Sequence, residues 1–332
     1  MAVMLGYEAL NGVLGMRDAI GLLEAALAHE AAGQTSVSPK FVTDFPGGAM
    51  RMLFAADQQA GYCATKAYHS IQGAGTRYVV SLYRLKDGEL LALLDGQIIT
   101  DLRTGAASGV IARKVPIAGP VSVGVIGSGH QARTQLESLA TVYRVESAAV
   151  FSPTAAHREA YAREMSKKLG IPVTPVDTVE AAARGRAVVT SASSSRNKEP
   201  ILHGAWLDRC RLLCAVGNTR AQFAEADVQC FRDAALVVMD SAHAMEEAGE
   251  LRQAAATGAL PEAKRATLAQ LVTGKVAVPG KGLIAFKSVG TALQDLALAA
   301  RYYELLGGRA GLPAAPDLGS LKRPMAAPGA QP

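Results

Sequence analysis

The sequence predicts an α/β fold in two parts: a doubly wound parallel sheet, and an α+β lobe built on an antiparallel sheet. Two rhythms carry this reading. Between residues 17 and 95 one amphipathic helix is followed by closely spaced short strands with glycine turns, as in an antiparallel sheet. From residue 121 onward, apolar runs of strand length alternate with helical stretches, as in parallel strands joined by crossover helices. At 332 residues the chain is long enough for two cores.

Residues 17–32 place apolar side chains at helical spacing. Candidate strands follow at 40–43, 50–55, 61–69, 77–85 and 90–95, the last two joined as a hairpin around Asp87 and Gly88. Residues 102–114, with the alanine-rich RTGAASGVIARK, form a helix leading out of this lobe, and PIAGP marks a boundary. Beyond it VSVGVI, SAAVFS, RAVVTS, RLLCAVG and ALVVMD are strand-like. KSVGTALQDLALAARYYELL is a closing amphipathic helix, and the Ala-, Pro- and Gly-rich end is a flexible tail. The boundary separates a first part over 1–115 from a second that begins at 116, with the tail over 313–332.

Composition narrows the function. Hydrophobic residues make up 49% and charged residues 19%, and the net charge of +5 is spread along the chain. A nucleic-acid binder carries a basic stripe or block, and none is present. The four cysteines form no CxxC pair and read as buried free thiols. The start lacks a basic leader with a cleavage site, and no apolar stretch has membrane-spanning length, which points to the cytoplasm. The six histidines offer no HExxH spacing and no serine sits in GxSxG, so neither metal nor acyl-enzyme chemistry has support.

The stretch VSVGVIGSGHQARTQLESL carries the first specific signal. Gly127, Gly129 and Ala132 give GxGxxA, with His130 and Gln131 inside it, directly after a strand and opening a helix. That is the Rossmann arrangement, in which a tight turn and a helix N-terminus receive a pyrophosphate. After the second strand an NAD site usually places a carboxylate against the ribose 2′-hydroxyl. None lies between Glu146 and Glu159; Ser152, Thr154, His157 and Arg158 stand there instead. Hydroxyls and a cation suit a 2′-phosphate, so NADP(H) is favoured and NAD(H) is left open. Thr104 is placed to face phosphate or nicotinamide. Ser191 and Ser193 end a strand where ligands lie in doubly wound sheets.

Four stretches together resemble the ornithine cyclodeaminase/μ-crystallin family: LLDGQIITDLRTGAASGVIARK, the cradle above, the AVG of 215–217, and FKSVGTALQDLALA. The resemblance runs over about residues 10–310. It implies a substrate-binding and dimerisation lobe over 1–115 completed by 288–312, a dinucleotide-binding lobe over 116–287, and a homodimer using NAD(H) or NADP(H) on a small amino or imino acid. Members include cyclodeaminases, amino-acid dehydrogenases, cyclic imino acid reductases and a lens protein that binds NADPH. By this resemblance Lys40, Lys66 and Arg103 grip a substrate carboxylate, with Arg103 best shaped for a two-bond grip. Lys66 beside Arg103 is also a candidate proton shuttle, because desolvation lowers a lysine pKa. The resemblance further puts Gly217 and Asn218 at the cofactor and Ser288 near nicotinamide and substrate.

One position departs from the pattern. Family cyclodeaminases carry an aspartate two residues past the AVG glycine, and this chain has Thr219 there. A threonine hydroxyl does not serve as a base near neutral pH, whereas reduction of a preformed C=N bond needs none. The turn therefore favours an imino acid reductase or a simple dehydrogenase over a cyclodeaminase, unless Asp227 or another turn geometry supplies the missing group. An alanine-type dehydrogenase and a non-catalytic NADPH-dependent binding protein remain as competing readings.

Overall fold

The structure, a computed structural model, describes residues 2–193 and 199–314. Its first sheet contains β1 (Val3–Leu5), β2 (Thr35–Val37), β3 (Phe41–Phe45), β4 (Gly48–Asp57), β5 (Tyr62–Ile71), β6 (Gly75–Arg84) and β7 (Leu90–Asp95). The order is β1-β7-β6-β5-β4-β2, with β3 also paired to β4. All pairs are antiparallel except β1 with β7, which run parallel. Alternation along β4, β5 and β6 turns Arg51, Leu53 and Lys66 inward, where they are buried. The same alternation turns Phe54, Ile71 and Val79 outward to solvent.

Helix Gly96–Lys114 starts ahead of the expected residue 102, because the Asp95 side chain accepts from the Gln97 N–H and caps it. The extra turns bring Thr100, Arg103 and Thr104 onto one helix face. Helix Ala292–Leu306 returns to pack on β4, β5 and helix Gly96–Lys114.

The second sheet contains β8 (Val121–Ile126), β9 (Val145–Phe151), β10 (Val173–Val176), β11 (Val188–Ser191), β12 (Leu212–Ala215), β13 (Ala234–Met239), β14 (Arg265–Thr267) and β15 (Leu283–Lys287). All are parallel, in the order β10-β9-β8-β11-β12-β15-β13-β14. The fold is α/β, as expected. Successive strand residues feed opposite faces: Val188, Leu212 and Ile284 join one core, and Val189, Leu213 and Ala285 the other. The first of these cores is continuous with that of the first lobe, through Leu23, Val80 and Leu296.

Three details differ from the sequence reading. Strands β1, β2, β10, β14 and β15 were not anticipated, and β15 sits centrally between β12 and β13. Lys287 therefore ends a strand rather than opening a helix, which begins only at Ala292 after the Thr291 cap. Pro313 accepts from the Met4 N–H and Ala314 bridges to Val3, so the first two residues of the predicted tail are held against β1. Its remainder, 315–332, lies outside the described residues. The cysteines are unpaired, with Cys210, Cys214 and Cys230 buried and Cys63 half-buried. No helix among the described residues is long and apolar enough to cross a membrane.

Candidate active site

Two adjoining hollows meet at the C-terminal ends of the parallel strands. The larger, about 1530 Å³, opens where β8 and β11 lie side by side while the chain leaves them in opposite directions, the switch point of a doubly wound sheet. Gly127, Gly129, His130 and Gln131 line it. Gly127 has φ +110, and a Cβ there would lie 2.5 Å from the Ala192 carbonyl oxygen, so only glycine makes this turn against β11. Gly129 caps helix His130–Val142, and a Cβ on it would meet nothing within 4 Å. The helix N-terminus thus faces open space, and fully buried Ala132 lets the helix lie close to the sheet. This cradle fits the pyrophosphate of a dinucleotide.

Around the cradle, Ser152 is buried at the end of β9, and Thr154 caps helix Ala155–Leu169 without a side-chain cap bond. Both line the crevice, as does His157. Arg158 does not; its guanidinium donates to the Ser152 carbonyl at 3.0 Å and pairs with exposed Asp177. Ser193 lines the crevice, and its N–H donates to Glu225 Oε1 at 2.8 Å. The other oxygen of this buried carboxylate accepts from the Gly217 N–H at 3.0 Å, so Glu225 pins the ends of β11 and β12 together. Ser191 corrects the sequence reading. It shares the face of Val189, is fully buried, and lines neither hollow.

The smaller hollow, about 330 Å³, shares Thr76, Tyr78, Gln131, Val216 and Gly217 with the crevice. Lys66 and Arg103 stand together on its wall. Lys66 Nζ donates to Asp295 Oδ1 at 2.8 Å and to Thr100 Oγ1 at 2.6 Å, and lies 5.2 Å from the centre of the Tyr78 ring. Arg103 Nε is 3.3 Å from the same Asp295 oxygen, and Nη1 donates to Gln294 Oε1 at 3.1 Å. Gly290, with φ +79, makes room for this guanidinium, since a Cβ there would lie 2.2 Å from Arg103 Nη1. Two cations therefore share one carboxylate. Burial lowers the Lys66 pKa to about 8 against the pull of Asp295, with Arg103 lowering it further.

The other predicted residues are placed as follows. Lys40 lines the cavity, but its ammonium is already paired with Glu247 at 2.8 Å and donates to the Val289 carbonyl. Thr104 and Asn218, expected at the cofactor, line the smaller hollow, as does Ser288, expected near both nicotinamide and substrate. The Thr104 hydroxyl donates to the Thr100 carbonyl at 2.7 Å. The Asn218 carboxamide donates to Glu250 at 2.9 Å and accepts from the Arg220 N–H, fixing the turn that presents Thr219. Ser288 donates to Asp240 Oδ2 at 2.7 Å, and Asp240 also accepts the N–H groups of Val289 and Gly290. Asp227 does not replace the missing turn aspartate: it lines neither hollow, caps helix Val228–Arg232 and holds His203 at the crevice wall.

Sequence reasoning missed Arg51, Asp295, Glu225 and Lys287. Lys287 is fully buried, pairs with Glu250 at 2.7 Å and donates to the Asn218 carbonyl. Asp295 and Lys287 lay inside a quoted stretch, so charge at a buried helical or strand position was the available signal. For Arg51 and Glu225 the sequence offered none.

One family model covers residues 2–309, that of the ornithine cyclodeaminase/mu-crystallin family. The chain belongs to that family. Within the ornithine cyclodeaminase/mu-crystallin family it is 28% identical over 314 residues to an alanine dehydrogenase of Archaeoglobus fulgidus, covering 91% of this chain and 94% of the relative. It is 26% identical over 304 residues to an iminosuccinate reductase of Paracoccus denitrificans, covering 90% and 91%. Its fold matches the Delta(1)-pyrroline-2-carboxylate reductase of Thermococcus litoralis, solved in complex with NADH and L-proline. That match has a TM-score of 0.85 and 27% identity, and covers 91% of this chain and 96% of the other.

Proposed function

We propose that this chain is an NAD(P)H-dependent reductase of small α-imino acids, cyclic ketimines such as Δ1-pyrroline-2-carboxylate and Δ1-piperideine-2-carboxylate among them. One observation carries the reading: Lys66 and Arg103 converge on a single carboxylate, Asp295, in a small cavity that opens onto a dinucleotide cradle. The surplus positive charge suits a substrate carboxylate, and the guanidinium offers it two parallel hydrogen bonds. The nicotinamide, when bound, supplies the hydride to the carbon next to that carboxylate. Lys66 uses two of its three N–H groups on Asp295 and Thr100, which leaves one for the imine nitrogen. With a pKa of about 8 it holds this proton at neutral pH and releases it readily. Ornithine cyclisation would need a further base, and the carboxylate lining the cavity, Asp295, is already engaged by both cations.

For the cofactor, NADP(H) is the proposed form. Its support is the hydroxyl and cation set of Ser152, Thr154 and Arg158 where a carboxylate would select NAD(H), with the Arg158 guanidinium held by the Ser152 carbonyl and exposed Asp177. The lobe of residues 1–115 with 288–312 is proposed to bind substrate and to pair with a second copy. Phe41, Phe45, Phe54, Ile71 and Val79 leave its outer sheet face exposed and apolar, as a buried dimer contact requires. Residues 116–287 are proposed as the cofactor lobe.

The test is the absorbance of NADPH and NADH with both ketimines and with ornithine. Ketimine-dependent oxidation of NADPH, with no proline released from ornithine, is expected. Pure protein that binds either cofactor yet turns over no imino acid would sink the proposal.

A further inference from the structure

Arg51 is the cation that the reductase reading leaves without a task. It stands on β4, is 6% exposed, and lines the small cavity. A buried guanidinium ordinarily has a carboxylate beside it, because desolvating a charge without compensation is costly. Arg51 has none among the described residues. Among the described residues its side-chain hydrogen bond runs from Nη1 to the neutral Ser70 hydroxyl at 3.3 Å, and it lies over the Tyr68 ring at 5.5 Å. The Ser70 hydroxyl is itself bonded to Thr76 Oγ1 at 3.0 Å, which holds this corner in place.

Strand register fixes where Arg51 stands relative to the carboxylate clamp. Arg51 is paired with Tyr68, and Leu53 with Lys66. Arg51 and Lys66 thus belong to neighbouring rows on the same face of the sheet, separated by two residues along the strand, or roughly 7 Å. The stacked rings of Tyr68 and Tyr78, centred 5.1 Å apart, continue the Arg51 row across β5 and β6. A ligand held at one end by Lys66 and Arg103 meets the Arg51 guanidinium at the other.

Charge completes the argument. Lys40 is cancelled by Glu247, and, leaving Arg220 aside, the lining cations Lys66, Arg103 and Arg51 face the one lining carboxylate of Asp295. A single substrate carboxylate leaves one positive charge buried and unmatched. A second anionic group on the substrate removes it.

We propose that Arg51 is a specificity-determining residue that binds a second carboxylate, so that the preferred substrates are dicarboxylic α-imino acids with an aspartate- or glutamate-like side chain or its ring equivalent. This rests on the reductase reading and narrows its substrate. The reaction is unchanged: the C=N bond takes a hydride from the cofactor at carbon and a proton at nitrogen, giving the amino acid and the oxidised cofactor.

The experiment compares imines formed in solution from ammonia and oxaloacetate or 2-oxoglutarate with those from ammonia and pyruvate. Δ1-Pyrroline-2-carboxylate is included, and NADPH oxidation is followed. The wild-type protein is expected to favour the dicarboxylic imines at least tenfold in kcat/KM. In Arg51→Met the ratio of dicarboxylic to monocarboxylic efficiency is expected to fall on the order of 100-fold, the loss that follows removal of one partner from a desolvated charge pair. Arg51→Lys, which keeps the charge without the fork, should restore part of the ratio. A wild-type preference for the pyruvate imine or the pyrroline overturns this inference and leaves the reductase standing. Turnover of neither class removes both. Wild-type kinetics decide the matter even where a variant folds poorly.

Discussion

The two hollows are built from different materials. The cofactor crevice is a backbone construction, in which a glycine turn, a helix N-terminus and pinned strand ends do the holding. The substrate cavity is a side-chain construction, with Lys66 from β5, Arg103 from helix Gly96–Lys114 and Asp295 from the last helix meeting at one point. Backbone cradles depend on shape and tolerate changes in neighbouring side chains. Charge clamps depend on every member, because a buried ion that loses its partner is destabilised far more than a pair is worth.

The largest effect should therefore come from the clamp. Arg103→Leu is expected to lower kcat/KM by about a thousand-fold through loss of the carboxylate grip. Cofactor affinity, read by fluorescence titration, should change less than about threefold. An equal loss of cofactor affinity would mean that the two hollows are one site energetically. The pH profile gives a smaller and more specific signature. Lys66 must carry its proton to reduce an imine and must be neutral to accept one from an amino acid. Reduction should thus fall about tenfold per pH unit above pH 8, and oxidation should rise through the same range. A reductive rate that is flat from pH 7 to 10 would take Lys66 out of the proton path. The smallest change belongs to the crevice. Arg158→Ala should raise KM for NADPH about tenfold by removing one charged phosphate contact, and leave KM for NADH within about twofold. Equal shifts for both cofactors would show that Arg158 only braces the Ser152 carbonyl.

The same contrast explains what the sequence made legible. The cradle was readable because its parts are consecutive: Gly127, Gly129 and Ala132 sit within one turn, and each is required by local geometry. The long strands β4 to β6 were readable from alternation, although their ends shifted by one or two residues where turn chemistry decided. Lys66 and Arg103 were found through a family resemblance, and composition alone would not have paired them. Arg51 and Asp295 are brought to one cavity only after strand register and the return of the last helix are fixed, and Arg51 leaves no trace in local pattern. Strand β15 was missed because LIAFK is five residues long, buried throughout, and lacks any alternation to separate it from a loop. Thr104 and Asn218 line the smaller hollow rather than the crevice, since position at a strand or helix end does not reveal which side of a shared wall a side chain faces.

The ribosome delivers Asp295 long after both basic groups that it neutralises. Until helix Ala292–Leu306 docks, Lys66 and Arg103 repel one another across a half-built pocket with nothing to oppose them. The central strand β15 comes just ahead of that helix, so the parallel sheet and the clamp are completed together.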